Sequence, residues 1–153
     1  MTESSEVTLR RLRAGDRVEA RATFEMMSEV FREGSEPLAD DYIDALLTRD
    51  SFWVVTAFNG SDVVGGLTAH TLPMTRSPSS EVFIYDVAVR PDHQRRGIGS
   101  RLVSELRQAA NAAGIEEVFV PADDEDEDAR SFYAAQAGEP SAVAMFTFGA
   151  PPE

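Results

Sequence analysis

The 153-residue chain contains no cysteine, which excludes disulfides, thiolate metal sites and a cysteine nucleophile. Its two histidines, His70 and His93, are isolated and make a poor metal donor set, so no metal is expected. No stretch approaches the roughly 20 apolar residues a bilayer-spanning helix needs, and the polar, acidic start Met1-Thr2-Glu3-Ser4-Ser5-Glu6 is unlike a secretion signal. A cytoplasmic protein with no membrane partner is expected. Positive charge is also scarce: 14 Lys and Arg stand against 27 Asp and Glu, a formal net charge of -13. That balance disfavours nucleic-acid backbone and anionic lipid as partners and favours a cation. There is no internal repeat and no long linker. Residues 1–153 therefore read as a single domain whose 42% hydrophobic content suffices for an ordinary core.

What is present is a turn, Gln94-Arg95-Arg96-Gly97-Ile98-Gly99-Ser100, between a strand-like run ending at Val89 and an amphipathic stretch. A strand that empties through glycines into a helix offers backbone N–H groups, at a positive dipole end, to an anion. Gly97 and Gly99 permit close backbone approach, and Arg95 and Arg96 can add charge-assisted hydrogen bonds to phosphate oxygens. The spacing is neither G-x-x-x-x-G-K-[ST] nor G-x-G-x-x-G, which excludes a nucleotide-hydrolysing loop and a dinucleotide fingerprint. Taken alone, the hexapeptide Gln94–Gly99 is either a phosphate seat or an ordinary strand-to-helix turn.

The rest of the pattern is α/β. Val7 to Leu12 reads as a strand, and Asp16 as the cap of a helix with Phe24, Met27 and Phe31 on one face. A short helix covers Leu38 to Thr48. Phe52–Phe58 and Val63–Leu72 read as a hairpin about Asn59-Gly60-Ser61-Asp62, with Phe52 and Trp53 filling core. Glu81–Val89 is a long strand. The next helix aligns Ile98, Leu102, Leu106, Ala109 and Ala113 and stops at Gly114. Val118–Val120, a helix over Glu127–Ala137 and a closing strand over Ala142–Phe148 complete a mixed sheet flanked by helices.

Two acidic features point to chemistry. Asp86 interrupts the apolar run Val82–Val89, where an unpaired buried charge is costly. It therefore either faces a cleft, contacting a substrate and removing a proton, or is satisfied by a structural hydrogen bond. Regular alternation would put it on the face opposite Glu81, Phe83 and Tyr85. Asp123-Asp124-Glu125-Asp126-Glu127-Asp128 is either a solvated charge run or a guide for a polyamine held by Asp123, Asp126 or Glu127. Calcium is disfavoured, because Ala129 stands where an EF-hand loop needs glycine.

The strand Glu81-Val82-Phe83-Ile84-Tyr85-Asp86-Val87-Ala88-Val89, the Gln94–Gly99 turn and Ser131-Phe132-Tyr133 occur in an order and separation that resemble the GCN5-related N-acetyltransferase superfamily over essentially the whole chain. Within it, Ile84–Val89, Asp41-Tyr42-Ile43 with Leu46-Leu47, Leu72-Pro73 and Ala122-Asp123 leading to Tyr133 look most like the aminoglycoside 3-N-acetyltransferases. The chain departs from that pattern in its uniformly acidic 123–128 run and in Ala134–Glu139, which replaces a usual lysine and glycine-hydrophobic pair.

The resemblance implies a mostly antiparallel central sheet and acetyl-coenzyme A as cosubstrate. The pyrophosphate of that cosubstrate would lie against Arg95–Ser100 and its pantetheine arm along backbone of Val87, Ala88 and Val89. It further implies Tyr133 as the acid for the departing thiolate, a residue that would otherwise read as core, together with Asp86 as base. Glu36, Asp40 and Asp41 fall in the helical region that shapes acceptor choice, and a homodimer is implied. The expected reaction is N-acetylation of the 3-amino group of an aminoglycoside antibiotic, conferring resistance, by direct transfer in a ternary complex. The alternatives are another polyamine, a protein amine, or a non-catalytic acyl-coenzyme A sensor.

Overall fold

The computed structural model describes residues 6–152, so the acidic start at 1–5 lies outside the described residues. The chain divides into two compact units, with the boundary between Pro121 and Ala122. The first contains β1 (Val7–Arg11), α1 (Arg17–Phe31), α2 (Asp40–Thr48), β2 (Phe52–Asn59), β3 (Asp62–Pro73), β4 (Ser80–Val89), a 3₁₀ turn at Pro91–His93, α3 (Ile98–Ala112) and β5 (Glu117–Phe119). Its five-stranded sheet runs in the order β1-β2-β3-β4-β5. The first four strands are mutually antiparallel and β5 runs parallel to β4, with α3 as the crossover between them. This is the mixed, mostly antiparallel α/β sheet expected from sequence.

Two adjacent glycines in β3 show how the helices are layered. A Cβ on Gly65 would meet Ile98 Cγ2 at 3.1 Å and Leu102 Cδ1 at 3.3 Å, whereas one on Gly66 would meet Thr23 Cγ2 at 2.7 Å and Met27 Sδ at 3.1 Å. Successive strand residues point to opposite faces, so α3 packs closely on one face and α1 on the other. Helix α2 joins α1 on its face, where Leu12, Ala20, Ile43, Leu47 and Val54 form one cluster. Between α1 and β2 the buried hydroxyls of Thr23 and Thr56 lie 2.9 Å apart, and Thr23 also donates to the Glu19 carbonyl at 2.7 Å. The buried polar groups are thus satisfied. Outside the core, the Arg17 guanidinium forks onto Asp44 at 2.6 and 2.8 Å and reaches Asp40, while Arg21 pairs with Asp40, pinning α1 to α2.

Several local expectations shift. Asp16 stands at the N-cap of α1, but its carboxylate accepts from the Arg13 N–H at 2.7 Å and from Arg10 instead of from the helix. The buried face of α1 is Ala20, Thr23, Met26 and Met27, set by the close approach to Gly66, and Phe31 is exposed. In α3 the stripe is Ile98, Leu102, Val103, Leu106 and Ala110. Ala113 is exposed because the chain leaves the helix there: Gly114 (φ 77°) donates to the Asn111 carbonyl at 3.0 Å and Ile115 to that of Ala110 at 2.8 Å.

The second unit has one regular element, α4 (Glu127–Ala135), capped by the Asp126 carboxylate accepting from the Ala129 N–H at 3.0 Å. It ends with Ala137 in the left-handed region (φ 65°), where Gly138 donates to the Tyr133 carbonyl at 3.0 Å. The strand expected at Ala142–Phe148 is not formed, and residues 139–152 have no regular structure. A strand exists only through a ladder partner, and this unit contains no second strand to supply one.

Candidate functional site

Strand β4 organises the chemistry of the first unit. Its parallel pairing with β5 covers only Glu81–Phe83 against Glu117–Phe119. From Ile84 to Val89 the β5-side edge of β4 has no strand partner among the described residues, and it is capped at its end, where the Val89 carbonyl is taken by a side chain. The chain then passes through the 3₁₀ turn into the seven residues Gln94–Ser100. The Gln94 amide donates to the Val89 carbonyl at 3.0 Å, stapling the turn to the end of the strand. His93 braces it from the other side, with its ring nitrogens 2.8 Å from Asp92 Oδ1 and 3.2 Å from Asn59 Nδ2. That histidine is structural.

Arg95 (φ 64°) and Gly97 (φ 79°) take left-handed backbone conformations in this turn. A Cβ on Gly97 would meet nothing within 4 Å, so glycine serves conformation there and the space before α3 is open. The first intrahelical bond, from the Arg101 N–H to the Gly97 carbonyl at 3.0 Å, leaves the Ile98 and Gly99 N–H groups at the positive end of a 15-residue helix. The Arg95 and Arg96 side chains stand exposed beside them. Backbone N–H groups at a helix start with two exposed arginines beside them are what an anion seat requires.

Asp86 sits earlier on the same strand, at a β-bulge. Thr68 of β3 pairs with Asp86 and Ala69 with Ile84, so Tyr85 is the additional residue. Cross-strand partners share a face. Thr68 and His70 are two apart on β3, and their partners are Asp86 and Phe83. Asp86 therefore lies on the same face as Phe83 and Tyr85, the α1 face, contrary to the face that regular alternation predicts. The bulge is the reason. On this face Asp86 is half-buried, and its carboxyl is pushed above the ordinary carboxylate value, first by burial and second by the negative charge of Glu33. No structural hydrogen bond to the Asp86 side chain occurs among the described residues.

Around Asp86 the aromatic rings form a row: Phe52 and His70 at 5.3 Å between centroids, His70 and Tyr85 at 5.9 Å, Tyr85 and Phe83 at 5.9 Å, Phe83 and Phe119 at 5.2 Å. His70 is a member of this row. Trp53 is buried as expected, donating from Nε1 to the Asp50 carbonyl at 3.0 Å. Glu36 and Asp41 are exposed in the α1–α2 loop and first turn of α2. Asp40 is committed to Arg17 and Arg21. Two residues near Asp86 were not singled out by sequence: Glu33, for which an ordinary helix end gave no signal, and Tyr85, which was placed on the face opposite Asp86 until the bulge brought the two together.

The second unit holds the other candidates. Asp123–Asp126 line an open hollow; Asp126 also caps α4 and Asp124 lies 3.4 Å from Arg130. Glu127 is in the first turn of α4. Tyr133 is half-buried on that helix, with its ring 5.1 Å from Phe132. No group of three or more His, Asp or Glu suited to a metal ion occurs among the described residues. No described helix is long and apolar enough to cross a membrane.

The acetyltransferase (GNAT) family model matches residues 20–138. The chain belongs to that family. It is similar to an aminoglycoside acetyltransferase from an uncultured soil metagenomic sample, solved in complex with sisomicin, with 28% identity, a TM-score of 0.88, and 94% of this chain and 97% of that one covered. A second aminoglycoside acetyltransferase from an uncultured soil metagenomic sample shares 29% identity at a TM-score of 0.89, covering 95% of this chain and 99% of that one. An aminoglycoside N-acetyltransferase of the AAC(6') type, solved with CoA, shares the fold at 17% identity and a TM-score of 0.78, with 97% and 98% covered. No curated protein matches the chain in sequence.

Proposed function

We propose that the chain, as a single N-acetyltransferase domain, acetylates an aminoglycoside antibiotic at its 3-amino group, using acetyl-coenzyme A by direct transfer in a ternary complex. The observation that carries this reading is the arrangement along β4: a half-buried acid at its middle, and an edge without a strand partner leading to the start of α3 at its end. The 28–29% identical neighbours named for aminoglycosides support the acceptor class.

In this mechanism the turn Gln94–Ser100 holds the pyrophosphate and Val87–Val89 align the pantetheine arm, which brings the thioester to the strand. Asp86 accepts a proton from the acceptor ammonium, directly or through water, because only the free amine attacks the acetyl carbon. Its raised carboxyl suits it to proton transfer. As the C–S bond breaks, Tyr133 donates its phenolic proton to the thiolate. Asp123, Asp126 and Glu127, with Glu36 and Asp41, attract the polycationic acceptor. The product amide is neutral, so the acceptor loses one positive charge, and resistance belongs to the same proposal. A cytoplasmic homodimer belongs to the same proposal.

A thiol-release assay across aminoglycosides, polyamines and peptides, with the acetylated nitrogen mapped on the product, tests the reading. All 14 basic residues are arginine, so no lysine of the enzyme competes as acceptor. Acetylation at the 3-amino group is expected, and turnover confined to peptides would overturn it. Separately, Gly97→Asp places bulk and negative charge at the helix end, and calorimetric titration should show acetyl-coenzyme A affinity reduced ~10-fold or more in a folded protein. Undiminished affinity would remove the turn from the coenzyme site.

A further inference from the structure

Tyr85 is a large aromatic residue left 61% exposed in the middle of a central strand. At this point β4 is paired with β3 alone, and the bulge in that pairing turns the ring outward. The additional residue places Tyr85 and Asp86 consecutively on one face, where a regular strand would have sent them to opposite faces. The ring is not loose on the surface. His70 stands 5.9 Å from it at 76° and Phe83 stands 5.9 Å from it at 61°, and these are backed by Phe52 and Phe119. Braced by two neighbours, it keeps most of its area open next to a half-buried carboxylate.

An aromatic face beside a carboxylate is a recognition pair for an alkylammonium. The carboxylate takes the N–H hydrogens, and the ring quadrupole attracts the positive carbon skeleton around the nitrogen. A saturated amino-sugar ring offers both an apolar C–H face and an ammonium, and few other metabolite classes combine them. We propose that Tyr85 is a substrate-positioning residue: its ring receives the C–H face of the acceptor's amino-substituted ring while Asp86 holds the amine to be acetylated. This inference rests on the assignment of an aminoglycoside to the Asp86 face. It adds that acceptor discrimination comes from a rigid aromatic wall as well as from the acidic charges.

The test uses the full chain, sisomicin as acceptor and steady-state kinetics for Tyr85→Leu and Tyr85→Phe. Tyr85→Leu should raise KM for sisomicin about 10-fold, with KM for acetyl-coenzyme A and the melting temperature unchanged. Tyr85→Phe, which keeps the ring, should restore most of the loss. A Leu variant with wild-type sisomicin KM removes Tyr85 from the site, as does a Leu variant whose two KM values rise together. Wild-type failure to acetylate sisomicin or any other aminoglycoside is a separate result. It removes the aminoglycoside reading, and the role of Tyr85 with it.

Discussion

The two units use apolar residues in opposite ways. In the first, Leu67, Ile84, Leu102 and Leu106 are wholly or almost wholly buried, and a sheet with helices on both faces closes a core. In the second, no described residue is buried. Val143, Met145, Phe146 and Phe148 are instead 82%, 74%, 79% and 92% exposed. A segment of about 30 residues cannot bury enough surface to fold by itself. The first unit therefore carries the stability of the protein, and the second carries candidate chemistry, Tyr133 and the acidic run, on a scaffold that contributes little of its own.

Side-chain deletions on the two sides of the boundary should differ most in stability. Leu102→Ala should cost about 3–5 kcal/mol by creating a cavity, whereas Phe148→Ala should fall within ~0.5 kcal/mol. Denaturant melts decide it, and a Phe148→Ala loss above ~2 kcal/mol would mean that the apolar tail is buried in the working protein. The next contrast separates chemistry from stability. Tyr133→Phe should lower kcat about 100-fold with coenzyme binding intact. A melting curve run alongside shows that the variant is folded, and full turnover would remove Tyr133 from the mechanism.

Asp86 provides the converse case, a group whose function opposes stability. Its folded carboxyl titrates above the unfolded one, so between those two values the folded state binds more protons and stability falls as pH rises. Above that window the full penalty of a desolvated charge is present. Asp86→Asn should therefore be more stable than wild type at neutral pH and equal to it in acid, while kcat drops and the acid limb of its pH profile disappears. Melting curves from acid to neutral pH, alongside the kinetics, check both halves. The smallest effect is expected at Ala137, held at φ 65° where glycine is at ease. Ala137→Gly should stabilise the end of α4 by up to ~1 kcal/mol, visible as slower amide exchange at Gly138.

Much of this was legible in the residues because local and long-range rules agreed. Gly60 and Gly114 mark turns that only positive φ allows, and the Gln94–Ser100 turn carries its own backbone geometry. The family is visible in the order of these pieces. Three things were not legible. The closing strand at Ala142–Phe148 was inferred from β-favouring residues, but a strand requires a partner, and composition does not supply one. The role of Asp16 was assigned by helix capping preference, whereas the nearby Arg13 N–H and Arg10 won its carboxylate. The face of Asp86 was set by a register slip that no residue type in Ile84-Tyr85-Asp86 announces.

That slip has a consequence for any comparison of related chains. Before Tyr85, the even-numbered positions Val82 and Ile84 face α3; after it, the odd-numbered positions Val87 and Val89 do, opposite Leu67 and Gly65. The strand is thus written in two phases. A substitution scan along β4 should show its two-residue rhythm of tolerance skip a beat at Tyr85–Asp86. A chimaera that exchanges only part of β4 with a relative lacking the bulge would join the phases wrongly, turning Val87 and Val89 toward α1 and the acid toward α3.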